Sequence, residues 1–278
     1  MTSTALSNAL SVDVEEWFQV RNLEDSVSRE SWDARDRRAD DAVRRLLDLF
    51  ERRGVRATFF VLGWIAERSP ELVREIDRRG HEVAVHGYGH QSVPSLSPEA
   101  FEKDLDRALA ALVPLVSRPV EGYRAPSFSL KEEHARYFEV LQRKGIRYDS
   151  SFFPGRKSAK TDTRPHCISR MDCGLVEVPV TSVRIGGILL PCGGGGFFRL
   201  FPYTMTRFLF RLHRKRGRPV IFYLHPWEID PEQPRVPLPF SRAFRHRLNI
   251  SRTFSRLDRL LQDFSFQPIR EVLSEHGF

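Results

Sequence analysis

Four short segments hold residues that could share one reaction. They are Asp13 and Glu15 in Ser11-Val12-Asp13-Val14-Glu15-Glu16-Trp17, the histidine pair of His86-Gly87-Tyr88-Gly89-His90, Arg124 in Gly122-Tyr123-Arg124-Ala125-Pro126-Ser127, and His225 in Tyr223-Leu224-His225-Pro226-Trp227-Glu228. Strand alternation places Asp13 and Glu15 on one face and Val12 and Val14 on the other. Two imidazoles four positions apart can meet one cation if the segment turns like a helix, although Gly87 and Gly89 argue for a tight turn over a regular helix. An arginine with proline two residues on makes a rigid turn with a permanent charge, suited to orienting a carboxylate. A histidine at the end of an apolar strand can act as a general acid, its ordinary pKa being about 6.5. Alone, each segment also reads as a solvated strand end, a glycine-rich turn, a surface arginine or a hydrogen-bonded core histidine. His81, His134, His166, His213, His246 and His276 read as surface or packing residues.

The elements around these segments give the joint reading its weight. Short apolar runs at 10–14, 57–62, 82–86, 122–124, 176–180, 183–190 and 220–224 predict strands, and amphipathic stretches at 40–53, 70–79, 98–115, 131–144 and 203–215 predict helices between them. Gly54, Gly80 and Gly145 follow basic residues as stop signals. This alternation is that of an α/β domain with a mainly parallel sheet or barrel. Asp13, His86, Arg124 and His225 then fall at the C-terminal ends of four strands, the face on which βα barrels build active sites. A surface loop is expected at 154–174 and an arginine-rich extension at 235–278, with 235–259 read as a final helix bearing a basic face. The run Gly193–Gly196 could line the same mouth and lacks the Lys-Ser/Thr of a phosphate loop.

Composition bounds the class. With 278 residues, one domain is expected, and 41% hydrophobic against 29% charged residues excludes a chain too polar to fold. The net charge of +8 favours anionic partners or surfaces. Cys167, Cys173 and Cys192 support neither a disulfide framework nor a cysteine metal cluster. No window approaches the ~18 apolar residues of a membrane span, and residues 1–10 lack a basic stretch followed by an apolar block, so a cytoplasmic protein is expected.

Taken together, the motifs at 11–18, 86–90, 123–128, 148–154 and 223–228 resemble the polysaccharide deacetylase superfamily, the NodB-homology carbohydrate esterases of family four. More narrowly they are similar to the subfamily linked with exopolysaccharide loci. The resemblance implies a single-domain distorted (β/α)7 barrel and metal-dependent removal of acetyl from N-acetylated, less often O-acetylated, sugars. It implies Asp13 as catalytic base, His225 as catalytic acid, Arg124 as the group orienting the base, and Asp149 as the acid tuning the histidine. It further implies His86 and His90 as metal ligands, with Glu15 the third by the same-face argument and Glu16 its competitor. Pro126 and Ser127 are expected at the substrate, Ser127 through its backbone N–H, and Tyr223 stands where the family has leucine. An aromatic, basic mouth of Trp17, Phe18, Trp227 and Arg199 is expected to meet the sugar. Zinc suits a glutamate and two imidazoles, and cobalt, nickel or iron also fit.

Acetylated oligo- or polysaccharide is thus the expected partner, with peripheral contact to an anionic membrane surface a further expectation and no nucleic acid expected, since no reader motif is present. The competing readings are an allantoinase-like hydrolase of cyclic amides on the same fold and a non-catalytic glycan-binding relative. Keeping Asp13 together with His225 argues against the last, because binding alone needs neither.

Overall fold

The computed structural model describes residues 7–131, 133–154 and 167–278. Strands β1 (Asn8–Val14), β2 (Thr58–Val61), β3 (Glu82–Val85), β4 (Gly122–Tyr123), β5 (Tyr148–Asp149), β6 (Ser169–Arg170), β7 (Val176–Glu177), β8 (Ser182–Ile185), β9 (Ile188–Pro191), β10 (Ile221–Leu224) and β11 (Phe266–Gln267) follow in chain order. The main sheet runs β10-β1-β2-β3-β4-β5-β7-β6, parallel from β10 through β7, with β6 antiparallel at the edge and β11 beside the start of β1. The sheet curls so that its two ends meet. Val180 N–H still donates to Phe152 O next to β5, and one residue later Thr181 N–H donates to Ile221 O of β10. Gly194 bridges Tyr223 alongside. The result is one α/β domain built on a curled, barrel-like sheet.

Period-two alternation sorts the strand residues into two cores. Leu10, Val12, Val14, Phe59, Val61, Val83, Val85, Phe222 and Leu224 face the surrounding helices. Ala9, Phe60, Ala84, Tyr148, Val176 and Ile221 fill the barrel interior. All seven β1 residues are buried, as expected of a parallel strand covered on both faces. Going up the interior, the apolar layer gives way to polar residues: Ser11 then Asp13 on β1, His86 after β3, Arg124 after β4, Ser150 after β5 and His225 after β10. Tyr148 crosses the interior so closely that a Cβ on Gly122 would lie 2.2 Å from its ring, which demands glycine there. Its hydroxyl donates to Glu82 at 3.0 Å, and Thr58 Oγ1 donates to the same carboxylate at 2.6 Å.

Three elements depart from the sequence reading. The strand expected over 183–190 is the hairpin β8–β9, because Gly186 and Gly187 both take positive φ and fold the chain back. The single helix expected over 235–259 is two, Phe240–Arg247 and Ile250–Asp263, broken where Asn249 adopts φ 55°. A short helix, Gly195–Leu200, occupies the end of the glycine run. Of the surface loop expected at 154–174, residues 155–166 lie outside the described residues, and residues 169–170 form β6.

Candidate active site

Three strand ends deliver their residues through a continuing ladder: His86 N–H donates to Val61 O, Arg124 N–H to Val85 O and Ser150 N–H to Tyr123 O. Side chains pointing inward at this level therefore converge. Asp13, Glu15, His86, His90, Ser127, Tyr223 and His225 line one cavity of about 260 Å3, together with Phe128, Gly196, Arg199, Trp227 and Arg245.

Arg124 is fully buried and spends its guanidinium on orientation. Nη1 lies 2.5 Å from Asp13 Oδ1 and 2.8 Å from Ser11 Oγ, Nη2 donates to Ser150 Oγ at 2.8 Å, and Nε to Ser150 O at 3.1 Å. Asp13 Oδ1 is thereby held, while Oδ2 faces His225 Nε2 at 3.8 Å. Arg124 also orients His86 through its backbone. Its carbonyl lies 2.7 Å from His86 Nδ1, and since a carbonyl only accepts, Nδ1 carries the proton and Nε2 keeps its lone pair. Burial, the largest influence, pushes His86 down to about 4, so its neutral form prevails at neutral pH.

His86 and His90 converge through a tight turn. His90 takes φ 51°, an uncommon conformation for a residue with a Cβ. The turn is pinned from both sides: Asp104 accepts the N–H groups of Tyr88 and Gly89, and Arg29 donates to the carbonyls of Gly89 and His90. One ligand atom each from Glu15, His86 and His90 lies within 4.8 Å of the others. Glu15 Oε2 is 2.7 Å from His90 Nε2, and its Oε1 accepts the Trp227 indole N–H at 3.0 Å. Burial alone would raise the Glu15 carboxyl, but His90, through its charge and its hydrogen bond, and the charge of His225 outweigh it and bring it to about 2. Two imidazoles and one carboxylate, buried, converging and individually oriented, form a donor set that fits a divalent cation.

Glu16 does different work. Its Oε2 accepts the backbone N–H groups of Arg38 at 2.9 Å and Ala39 at 3.1 Å, capping the helix Ala39–Arg53. Burial raises its carboxyl to about 7. Between the two adjacent glutamates, Glu15 is the one among the histidines.

His225 is held from behind by a group the motif reading quoted without a role. Its Nδ1 lies 3.0 Å from Glu228 Oε2, the Glu228 carboxylate lies 2.7 Å from Arg199 Nε, and all three are buried or nearly so. Burial works against charge at His225, but Glu15, Glu228 and Asp13 outweigh it and raise the imidazole to about 9. The tuning role carried over to Asp149 is corrected accordingly: Asp149 Oδ1 accepts from Ser151 Oγ at 2.5 Å, and Glu228 meets His225. The signal was the His-x-x-Glu spacing, which a one-turn 3-10 helix at Pro226–Ile229 turns into a contact.

Other expectations at the mouth also change. Trp17 and Phe18 are buried in the core, with Trp17 Nε1 donating to Asp36 O. Trp227 is 6% exposed, its ring stacked on His225 and on His246, so it presents Glu15 with a donor and offers sugar no free face. Arg199 is 2% exposed and committed to Glu228 and to the carbonyls of His246 and Leu248. Pro126 is buried under the histidine turn, its Cγ 3.7 Å from where a Gly87 Cβ would stand, and does not line the cavity. Ser127 does line it, with φ 56°.

Two parts of the chain match known family models. Residues 31–148 match the family model described as polysaccharide deacetylase, and residues 150–274 match one described as a domain of unknown function, DUF3473. A peptidoglycan deacetylase-like protein of Gibberella zeae is 32% identical over 111 residues, covering 39% of this chain and 32% of that protein. The peptidoglycan deacetylase of Helicobacter pylori is 30% identical over 109 residues, covering 39% and 36%. The chain thus matches about a third of the length of these relatives. Among solved structures, one from Mycobacterium smegmatis assigned as a polysaccharide deacetylase covers 99% of this chain and 92% of its own, with TM-score 0.62 at 20% identity, a likeness of fold.

Proposed function

Since the chain carries a polysaccharide deacetylase domain of the NodB-homology type, we propose that it hydrolyses the acetamide of an N-acetylated sugar within an oligo- or polysaccharide. The observation that carries this reading is the meeting of Asp13, Glu15, His86, His90 and His225 around one cavity. Glu15, His86 and His90 would hold a divalent cation, zinc by donor chemistry. When bound, such an ion supplies Lewis-acid polarisation of the acetyl carbonyl and acidifies water.

This chain's residues do the rest. Asp13, with Oδ1 tied to Arg124, takes the proton of the attacking water at Oδ2. The Ser127 backbone N–H assists the developing oxyanion. His225, whose Nδ1 is engaged by Glu228, delivers a proton from Nε2 to the leaving amine as the C–N bond breaks, releasing acetate and a free amino sugar. Order and identity of the motifs support a place in exopolysaccharide assembly as part of the same reading.

The test is acetate release from chitooligosaccharide and from peptidoglycan, with metal content measured before and after a chelator. Release that stops on chelation and returns with zinc is expected. Ring opening of allantoin without acetate release would replace this reading by the cyclic amide hydrolase. Sugar binding without turnover in the metal-loaded protein would replace it by the glycan-binding one.

A further inference from the structure

Beside the cavity mouth, the helix Phe240–Arg247 carries apolar surface that none of the described residues covers. Phe240 is 86% and Phe244 57% exposed, four positions apart, with their rings stacked at 6.4 Å. Arg247, three positions further, extends the same stripe and is exposed. The opposite face is anchored: His246 is buried and bonds Gln233 at 2.9 Å, and Arg199 takes the carbonyls of Arg245 and His246. Leu200, next to Arg199, is 52% exposed.

Charge identifies what would cover this stripe. No aspartate or glutamate lies between Gln233 and Asp258. Arg235, Arg247 and Arg252 are exposed, and among the described residues none of the three pairs with a carboxylate. Arg242 pairs with Asp25 and Arg245 with Asn22, which ties the helix to the loop after β1 and puts Arg245 on the cavity wall. Exposed phenylalanines flanked by unpaired guanidinium groups match a bilayer interface with anionic headgroups: the rings enter the acyl boundary while the arginines meet phosphates. An anionic bilayer supplies the apolar boundary and the negative charge side by side on one continuous surface. Among the described residues no helix is long and apolar enough to cross a membrane, so contact through this stripe would be peripheral.

We propose that Phe240–Arg247 docks this protein on anionic membrane surface, setting the cavity mouth at the headgroup level. The proposal stands apart from the chemistry above, since Phe240 and Phe244 touch none of the catalytic set.

The experiment is co-sedimentation of the full chain with phosphatidylcholine vesicles and with vesicles carrying roughly 30% phosphatidylglycerol, at low and high salt. Binding to the anionic vesicles that weakens with salt is expected. The variant F240S/F244S should lose at least about tenfold in vesicle affinity while keeping its melting curve and its acetate release from soluble oligosaccharide. R247Q should lessen the salt-sensitive part only. Three outcomes overturn the proposal: no binding of the native chain to anionic vesicles, equal binding by F240S/F244S, or a native dimer that F240S/F244S turns into a monomer, which would make a second copy the cover. Vesicle binding is read without turnover, so a failure here and a failure of the deacetylase reading are separate results.

Discussion

The site's two sides hold their histidines by different devices. On the side of β3, His86 is oriented by a backbone carbonyl, and His90 by a pinned turn in a left-handed conformation; burial keeps His86 neutral. On the side of β10, His225 is oriented by Glu228, itself backed by buried Arg199, and the surrounding carboxylates favour the imidazolium. A carbonyl dipole fixes a tautomer without adding charge, which is what a metal ligand needs. A carboxylate fixes the tautomer and stabilises the protonated ring, which is what a proton donor needs. In the proposed reaction the same residue type would serve opposite ends because the third partner differs.

Four changes would break or sharpen this contrast. His86→Ala should cause the largest loss, removing bound metal and taking acetate release to background, checked by elemental analysis beside the activity assay. Asp13→Asn should lower turnover by about 10²–10⁴ while metal content stays, because only the proton acceptor is lost; unchanged turnover would deny Asp13 its role. Glu228→Gln removes the charge and leaves one acceptor oxygen where His225 and Arg199 had two, and a loss of roughly 10–100-fold in kcat/KM with metal retained is expected. An equal loss of metal would mean the two sides are not separable.

The smallest effect concerns a histidine with neither device. His81 accepts the Ala57 N–H at 3.1 Å, and burial, with Arg79 and Arg56 nearby, lowers it to about 4. The unfolded chain binds this proton near pH 6.5 and the folded chain only near 4, so stability should fall as pH drops through that window, by about 1–3 kcal/mol. His81→Gln should lessen that slope by its own share in urea titrations, His86, His213 and His246 being lowered to about 4 as well, without altering acetate release.

Much of this was legible in order along the chain. Period-two alternation ending in a polar residue predicted where Asp13, His86, Arg124 and His225 would stand, because a parallel barrel forces successive strand ends to one rim. Residues beyond the strand ends were harder. Asp149 lies within β5, where alternation with the inward Tyr148 turns it away from the cavity and toward Ser151; Trp227, beyond β10, reads as an aromatic at a mouth, yet its ring is spent between His225 and His246. Past the last ladder hydrogen bond, alternation no longer dictates direction, and the loop's own contacts take over.

From sequence alone came the strand-and-helix rhythm, the shared rim and the chemical types gathered on it, since these follow from local periodicity and side-chain chemistry. Only the tertiary structure set Glu15 rather than Glu16 among the histidines, by giving Glu16 a helix end to cap, and matched Glu228 rather than Asp149 to His225. Those choices depend on which groups from remote segments arrive within 3 Å, and distance in space between remote segments is set by how the whole sheet curls.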